Sequence, residues 1–122
     1  MKLTGKTKED FWKWYLSEKV LKENKLLPMF NFSNENVIKI NFLAMSKICQ
    51  NALIIEFFDS VKIYISINYV DMHTDLRSEK GFQSLVSNKH LSTMFRVIKS
   101  RPEATDKAIE KANEIYNEML NK

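Results

Sequence analysis

One cysteine, two glycines and two prolines in 122 residues rule out several kinds of protein. Cys49 has no second cysteine to pair with, so no internal disulfide forms, and a lone thiol suits a reducing compartment. One Cys and two His do not make the common tetrahedral zinc sites. Two glycines do not make a Gly-rich phosphate loop. Scarce Gly and Pro beside 44% hydrophobic residues argue against a disordered chain. No apolar run approaches the roughly 18–20 residues that cross a bilayer. The basic opening MKLTGKTKEDFWKW lacks the apolar stretch of roughly 7–15 residues that marks a secretory signal. The expectation is one cytoplasmic domain spanning residues 1–122, with no membrane contact.

What is present is aromatic and unevenly charged. Eight Phe, four Tyr and two Trp supply a core. The net charge of +4 is concentrated in two stretches. Residues 1–25 hold seven lysines against four acids, and residues 62–101 hold seven Lys/Arg against three acids. Residues 26–61 and 102–122 are slightly acidic. A basic stretch attracts nucleic acid through phosphate contacts and counterion release; lysines also simply solvate a surface.

Thr7 and Asp10 resemble a capping box opening a helix over about residues 8–25. Phe11, Trp12, Tyr15, Leu16 and Val20 lie on one face, and Trp14 and Leu21 widen it, so the helix must bury two sides or keep one for a partner. LLPMFNFSNEN (26–36) reads as a connection, with Pro28 ending the helix. VIKINF (37–42) alternates and predicts a strand, and LAMSKICQN (43–51) is ambiguous. LIIEFF (53–58) reads as a strand joined by a hairpin at Asp59-Ser60-Val61 to KIYISINYV (62–70), the clearest alternation in the chain. Residues 71–94 carry few periodic cues, with Gly81 marking a turn, and MFRVI (94–98) is a further short strand. Ser100-Arg101-Pro102-Glu103 is a capping box with Pro in the first turn. Ala104, Ala108, Ala112, Ile115, Tyr116 and Met119 follow at helical spacing. The fold class expected is α+β: an N-terminal helix, a three- to four-stranded antiparallel sheet, and a C-terminal helix packed on it.

No catalytic constellation stands out, so the chain reads as a non-enzyme without a cofactor or a small-molecule substrate. Asp71, His73 and Asp75 alternate as metal ligands on an extended strand would, and equally as a solvated strand end. Glu56 and Asp59 are a carboxylate pair flanking the expected turn. Cys49 with His73 or His90 has nothing in sequence to bring it together. The remaining candidate is basic: Arg77, Lys80, Lys89, Arg96, Lys99 and Arg101, with His90 and Phe95 among them, suit RNA or single-stranded DNA. The order helix, three strands, helix is also that of the double-stranded-RNA-binding domain. That family has a lysine run at the start of its last helix, where this chain has SRPEATDKA.

Three segments carry a resemblance: LTGKTKEDFWKWY (3–15), IIEFFDSVKIYI (54–65) and SRPEATDKAIEKANEIYN (100–117). Together they resemble a group of short proteins encoded by phages and prophages, which share TGK…DF..W, FFDSV.IYI and R.EA…AIEKAN..Y. The resemblance covers roughly a third of the chain and implies a genomic setting without functional residues. Small prophage proteins often act by binding a host machine, and inhibitors of CRISPR nucleases are a prominent class. The first expectation is therefore an anti-defence protein that occludes a CRISPR nuclease or its guide RNA complex, using residues 77–101 and the first helix. A stand-alone RNA-binding module and a small metal-dependent nuclease are the alternatives.

Overall fold

The computed structural model describes residues 1–20, 35–74 and 77–121. Helix α1 (Gly5–Trp14) runs on into a π-helical segment, Tyr15–Val20. Helices α2 (Glu35–Ala44) and α3 (Lys47–Ser60) follow. Strands β1 (Tyr64–Thr74), β2 (Arg77–Ser87) and β3 (Ser92–Ile98) come next, and α4 (Arg101–Leu120) ends the order. The strands form one antiparallel sheet, β1-β2-β3, with α4 packed across it, so the α+β class is as expected. Among the described residues no single helix is long and apolar enough to cross a membrane. Leu21, Pro28 and the rest of the expected connection up to residue 34 lie outside the described residues.

Two expected strands are helices. In VIKINF the buried residues are Ile38 and Phe42, while Ile40 is 64% exposed. Positions i and i+4 are shared by a two-residue and a 3.6-residue period, so only Ile40 distinguishes them, and it points outward as a helix requires. LIIEFF belongs to α3. Ser46 caps that helix by accepting from the Cys49 N–H at 3.3 Å, and Ile54, Phe57 and Phe58 form its buried face. The expected hairpin at Asp59-Ser60-Val61 is instead the stop of α3. The Ile63 N–H donates to the Phe58 carbonyl at 2.9 Å and the Lys62 N–H to the Asp59 carbonyl at 3.1 Å. Lys62 has a left-handed φ of 65°. Those two bonds, with Phe58 and Ile63 both buried, make a Schellman ending.

Helix α1 begins a turn earlier than Thr7, with Thr4 at its N-cap position making no side-chain cap. The free N–H groups of the first turn are met instead by α4. Asn117 Oδ1 accepts from the Thr7 N–H at 3.0 Å, and Asn113 Oδ1 accepts from the Thr4 N–H at 3.0 Å. Thr7 Oγ1 donates to the Asn113 carbonyl at 3.3 Å, and the Tyr116 hydroxyl donates to Asp10 Oδ2 at 2.8 Å. These bonds join the two ends of the described chain. Beneath them Phe11 is fully buried, with the rings of Trp12, Trp14, Tyr15, Phe42 and Phe57 centred 5.3–5.9 Å away. The aromatic excess of the first helix is thus largely core.

The capping box opening α4 is present, Ser100 Oγ accepting from the Glu103 N–H at 3.3 Å. Ala104, Ala108 and Ala112 are fully buried, which lets α4 approach the sheet closely. The register Ile65↔Val86, Ile67↔Ser84 and Tyr69↔Phe82 fills the helix side of the sheet; Asp71↔Lys80 and His73↔Ser78 continue that row past the helix start. Ser84 is fully buried, and its hydroxyl has no partner among the described residues.

Candidate functional site

The six basic residues expected to work together divide between the two ends of the sheet. Lys80 lies near the start of β2, opposite Asp71. Phe82 pairs with Ile98 on β3, so Lys99 and Arg101 emerge beside Lys80. Arg77 opens β2 at the same end. Arg96 lies near it on the opposite face, with its Nε 3.1 Å from Met94 Sδ. Lys89 stands apart. It sits in the β2–β3 turn, where Asn88 Oδ1 accepts from the His90 and Leu91 N–H groups at 2.8 and 2.7 Å. Seven residues of strand at about 3.3 Å each put it more than 20 Å from Lys80.

A bulge turns the end of β3. The β2–β3 register slips between Phe82 and Ser84, so that Arg96 and Val97 together stand opposite Gln83, and Val97 has a φ of 56°. Gly81, expected at a turn, is buried in mid-strand at this bulge. A Cβ there would sit 2.9 Å from the Ile98 carbonyl oxygen and 3.3 Å from the Val97 Cα. Glycine is therefore needed for the two strands to close at the point that delivers Lys99 and Arg101.

An aromatic pair lies among these cations. Tyr69 and Phe82 meet edge to face, with centroids 5.4 Å apart at 68°, and the Arg101 guanidinium lies 5.3 Å from the Phe82 centroid. Tyr69 is 51% exposed. Among the described residues no carboxylate lies in ion-pair range of Lys80, Arg96, Lys99 or Arg101. By contrast Lys2 and Lys47 share Asp106, at 3.2 and 2.7 Å, and Lys6 and Lys111 pair with Glu9 and Glu114. Burial pushes the Asp106 carboxyl up, but the hydrogen bonds and charges of Lys47 and Lys2 outweigh it and hold it below the usual carboxylate range.

The other candidates have less to work with. His73 Nε2 lies 2.9 Å from Asp71 Oδ1 and its Nδ1 3.0 Å from Ser78 Oγ, so both ring nitrogens are engaged. Asp75 lies outside the described residues, and among those described no group of three His, Cys, Asp or Glu could hold a metal ion. The chain Asp71–His73–Ser78 has the connectivity of an acid, a base and a nucleophile. It stands on an open hairpin, with the His73 side chain 71% exposed. A cleft on the opposite face of the hairpin, lined by Met72, Glu79, Gly81 and Val97, has a volume of about 40 Å³, room for a water or two. Glu56 and Asp59 lie on the exposed surface of α3 and flank no hairpin. Cys49 is on the first turn of that helix, away from His73 and His90, which sit at opposite ends of the sheet.

Two features escaped the sequence. The Tyr69–Phe82 pair needs the strand register to be seen, although the alternation of β1 had already placed Tyr69 on the face of Ile65 and Ile67. The second is an apolar groove of about 470 Å³ between α3 and the start of α4. Ile48, Ala52, Ile55, Ile67 and Pro102 line it, with Lys47 and Arg101 at its rim. No protein-family model, no curated protein and no solved structure matches the chain.

Proposed function

We propose that this chain is a non-catalytic binding protein that engages an anionic partner with the basic end of its sheet. The observation carrying this reading is that Lys80 and Arg101 lie on the face of the exposed Tyr69, with Lys99 at the same end of the sheet, none of the three with a carboxylate in ion-pair range among the described residues. Clustered cations outside any ion pair raise the local potential and speed the approach of an anion. The resemblance to phage and prophage proteins supplies the setting. The partner is a cytoplasmic host defence machine, a CRISPR nuclease or its guide RNA complex, blocked by occlusion.

The test is capture from host cells of what a tagged copy binds, with and without nuclease treatment, beside the variant Lys80→Glu/Lys99→Glu/Arg101→Glu. A defence nuclease or its guide RNA should come down with the native chain and not with the variant. A variant that retains the same partner undiminished would remove this surface from consideration. Direct binding of free RNA is a second reading, favoured by the same cations and by the exposed ring. A metal-dependent nuclease using Asp71, His73 and Asp75 is a third; it predicts activity that needs a divalent ion and is lost in His73→Ala.

A further inference from the structure

Resting on the binding surface proposed above, we infer that what this end of the sheet grips is single-stranded nucleic acid, with a base stacked on Tyr69 and the backbone phosphates on Lys80 and Arg101. Cations alone do not separate a nucleic acid from an acidic protein. The ring among them does. Tyr69 keeps half of its surface open, although Phe82 behind it is available to cover it, and the two meet edge to face. That contact fixes the Tyr69 ring from one side and leaves a face for a planar partner. Every base has such a face, and an aromatic platform inside a basic groove is how strands are held without reading their sequence.

Arg101 adds a second planar group. Its guanidinium is held against Phe82, and no carboxylate takes up its donors among the described residues. A guanidinium fixed in orientation gives a phosphate two parallel donors, or stacks on a neighbouring base. The negative groups on this end set the path of the strand: Glu79 lies on the other face of β2, opposite Met72. Asp71 lies on the Tyr69 face, opposite Lys80, and is engaged by His73; Glu103 is exposed on the first turn of α4. The phosphates therefore run along the Lys80 and Arg101 side of Tyr69. A duplex does not fit this surface well, because its bases are stacked on one another and show the protein only their edges. The partner chemistry is an unpaired strand, of RNA or of DNA.

The experiment is fluorescence anisotropy of the full chain against labelled oligo-uridylate and oligo-deoxythymidylate of about 12 nucleotides, within the usual site sizes, and against a duplex of equal length. One or both single strands should bind more tightly than the duplex, and the two arms decide between RNA and DNA. Tyr69→Ala should weaken binding by about five- to a hundred-fold without altering the salt slope, and Tyr69→Phe should restore it, because the ring carries the contact. Lys80→Ala should lower the slope of log affinity against log salt by about 0.7. Equal binding of Tyr69→Ala and the native chain, both folded by circular dichroism, would overturn the inference. So would a duplex bound as tightly as the strands. If neither strand binds while the charge-reversed triple variant still loses its captured partner, this inference fails, the binding surface stands, and the partner is an acidic protein.

Discussion

The helical layer and the basic end of the sheet treat charge in opposite ways. Where α1 and α3 meet α4, most polar groups are matched: Lys2 and Lys47 to Asp106 Oδ2, Tyr116 to Asp10, Thr4 and Thr7 to Asn113 and Asn117, with Asp106 Oδ1 left over. Behind them lies a cluster of aromatic rings centred on Phe11. At that end of β2 the sheet carries Lys80, Lys99 and Arg101 with no carboxylate in ion-pair range among the described residues. A strained β-branched residue sits there too, the left-handed Val97 of the bulge. Matched charges and close packing hold a fold together. Unmatched charges contribute nothing to it and leave their donors to a partner. If the division is real, substitutions in the two regions must move different observables.

The largest effect belongs to the helical layer. Phe11→Ala empties a fully buried site and should cost about 3–5 kcal/mol, read from the shift of the urea midpoint. An intact basic end should then bind normally in whatever fraction remains folded. Ser84→Ala, where the sheet meets α4, should go the other way. It removes a buried hydroxyl without a partner and should stabilise by about 1 kcal/mol in the same titration. Loss of stability in that variant would mean that the hydroxyl is satisfied in solution. Tyr116→Phe removes the bond to Asp10 and should cost about 1 kcal/mol at neutral pH. Burial, then the Asp10 hydrogen bond and charge, push the Tyr116 hydroxyl up to about 12. Its folded value lies above its unfolded one of 10.0, so its contribution is complete below that pH and is lost as pH rises toward 12. The native chain should lose this increment between pH 9 and pH 12, while Tyr116→Phe should not; thermal unfolding at both values checks it.

How much of this was legible in the sequence depends on whether one period or two fitted the residues. Helix α4 was legible because Ser100 and Glu103 fix its start and the alanines fix its face. β1 was legible because Ile65, Ile67 and Tyr69 fit only a strand. VIKINF misled because Ile38 and Phe42 satisfy both periods, and Ile40 points to solvent on the helix that forms. LIIEFF misled because a continuous apolar run has no period at all; the decisive residues were Ser46, which caps α3, and Lys62, which takes a left-handed φ where glycine is usual. The candidate site was legible as a list of cations and not as a surface. Lys80 and Lys89 are nine positions apart, and only a straight β2 shows that they occupy opposite ends. Gly81 reads as a turn in sequence because glycine's other use, letting a neighbouring backbone come close, leaves no local mark.

The smallest effect on stability is the sharpest test of the comparison. Lys80→Gln/Lys99→Gln removes two charges that have no opposite partner among the described residues, so the stability at moderate salt should change by less than about 0.5 kcal/mol. At low salt the double variant should be slightly more stable than the native chain, because the two ammonium groups and Arg101 repel one another across a Debye length of about 30 Å at 0.01 M. That gain should fade as salt is raised. Lys47→Gln should do the reverse, destabilising by about 1 kcal/mol, because it takes a hydrogen-bonded partner from the mostly buried Asp106. Urea titrations of both variants at low and moderate salt give the comparison directly. If Lys80→Gln/Lys99→Gln loses as much stability as Lys47→Gln, the cations of the sheet end are holding the fold together, and they are not free to hold a partner.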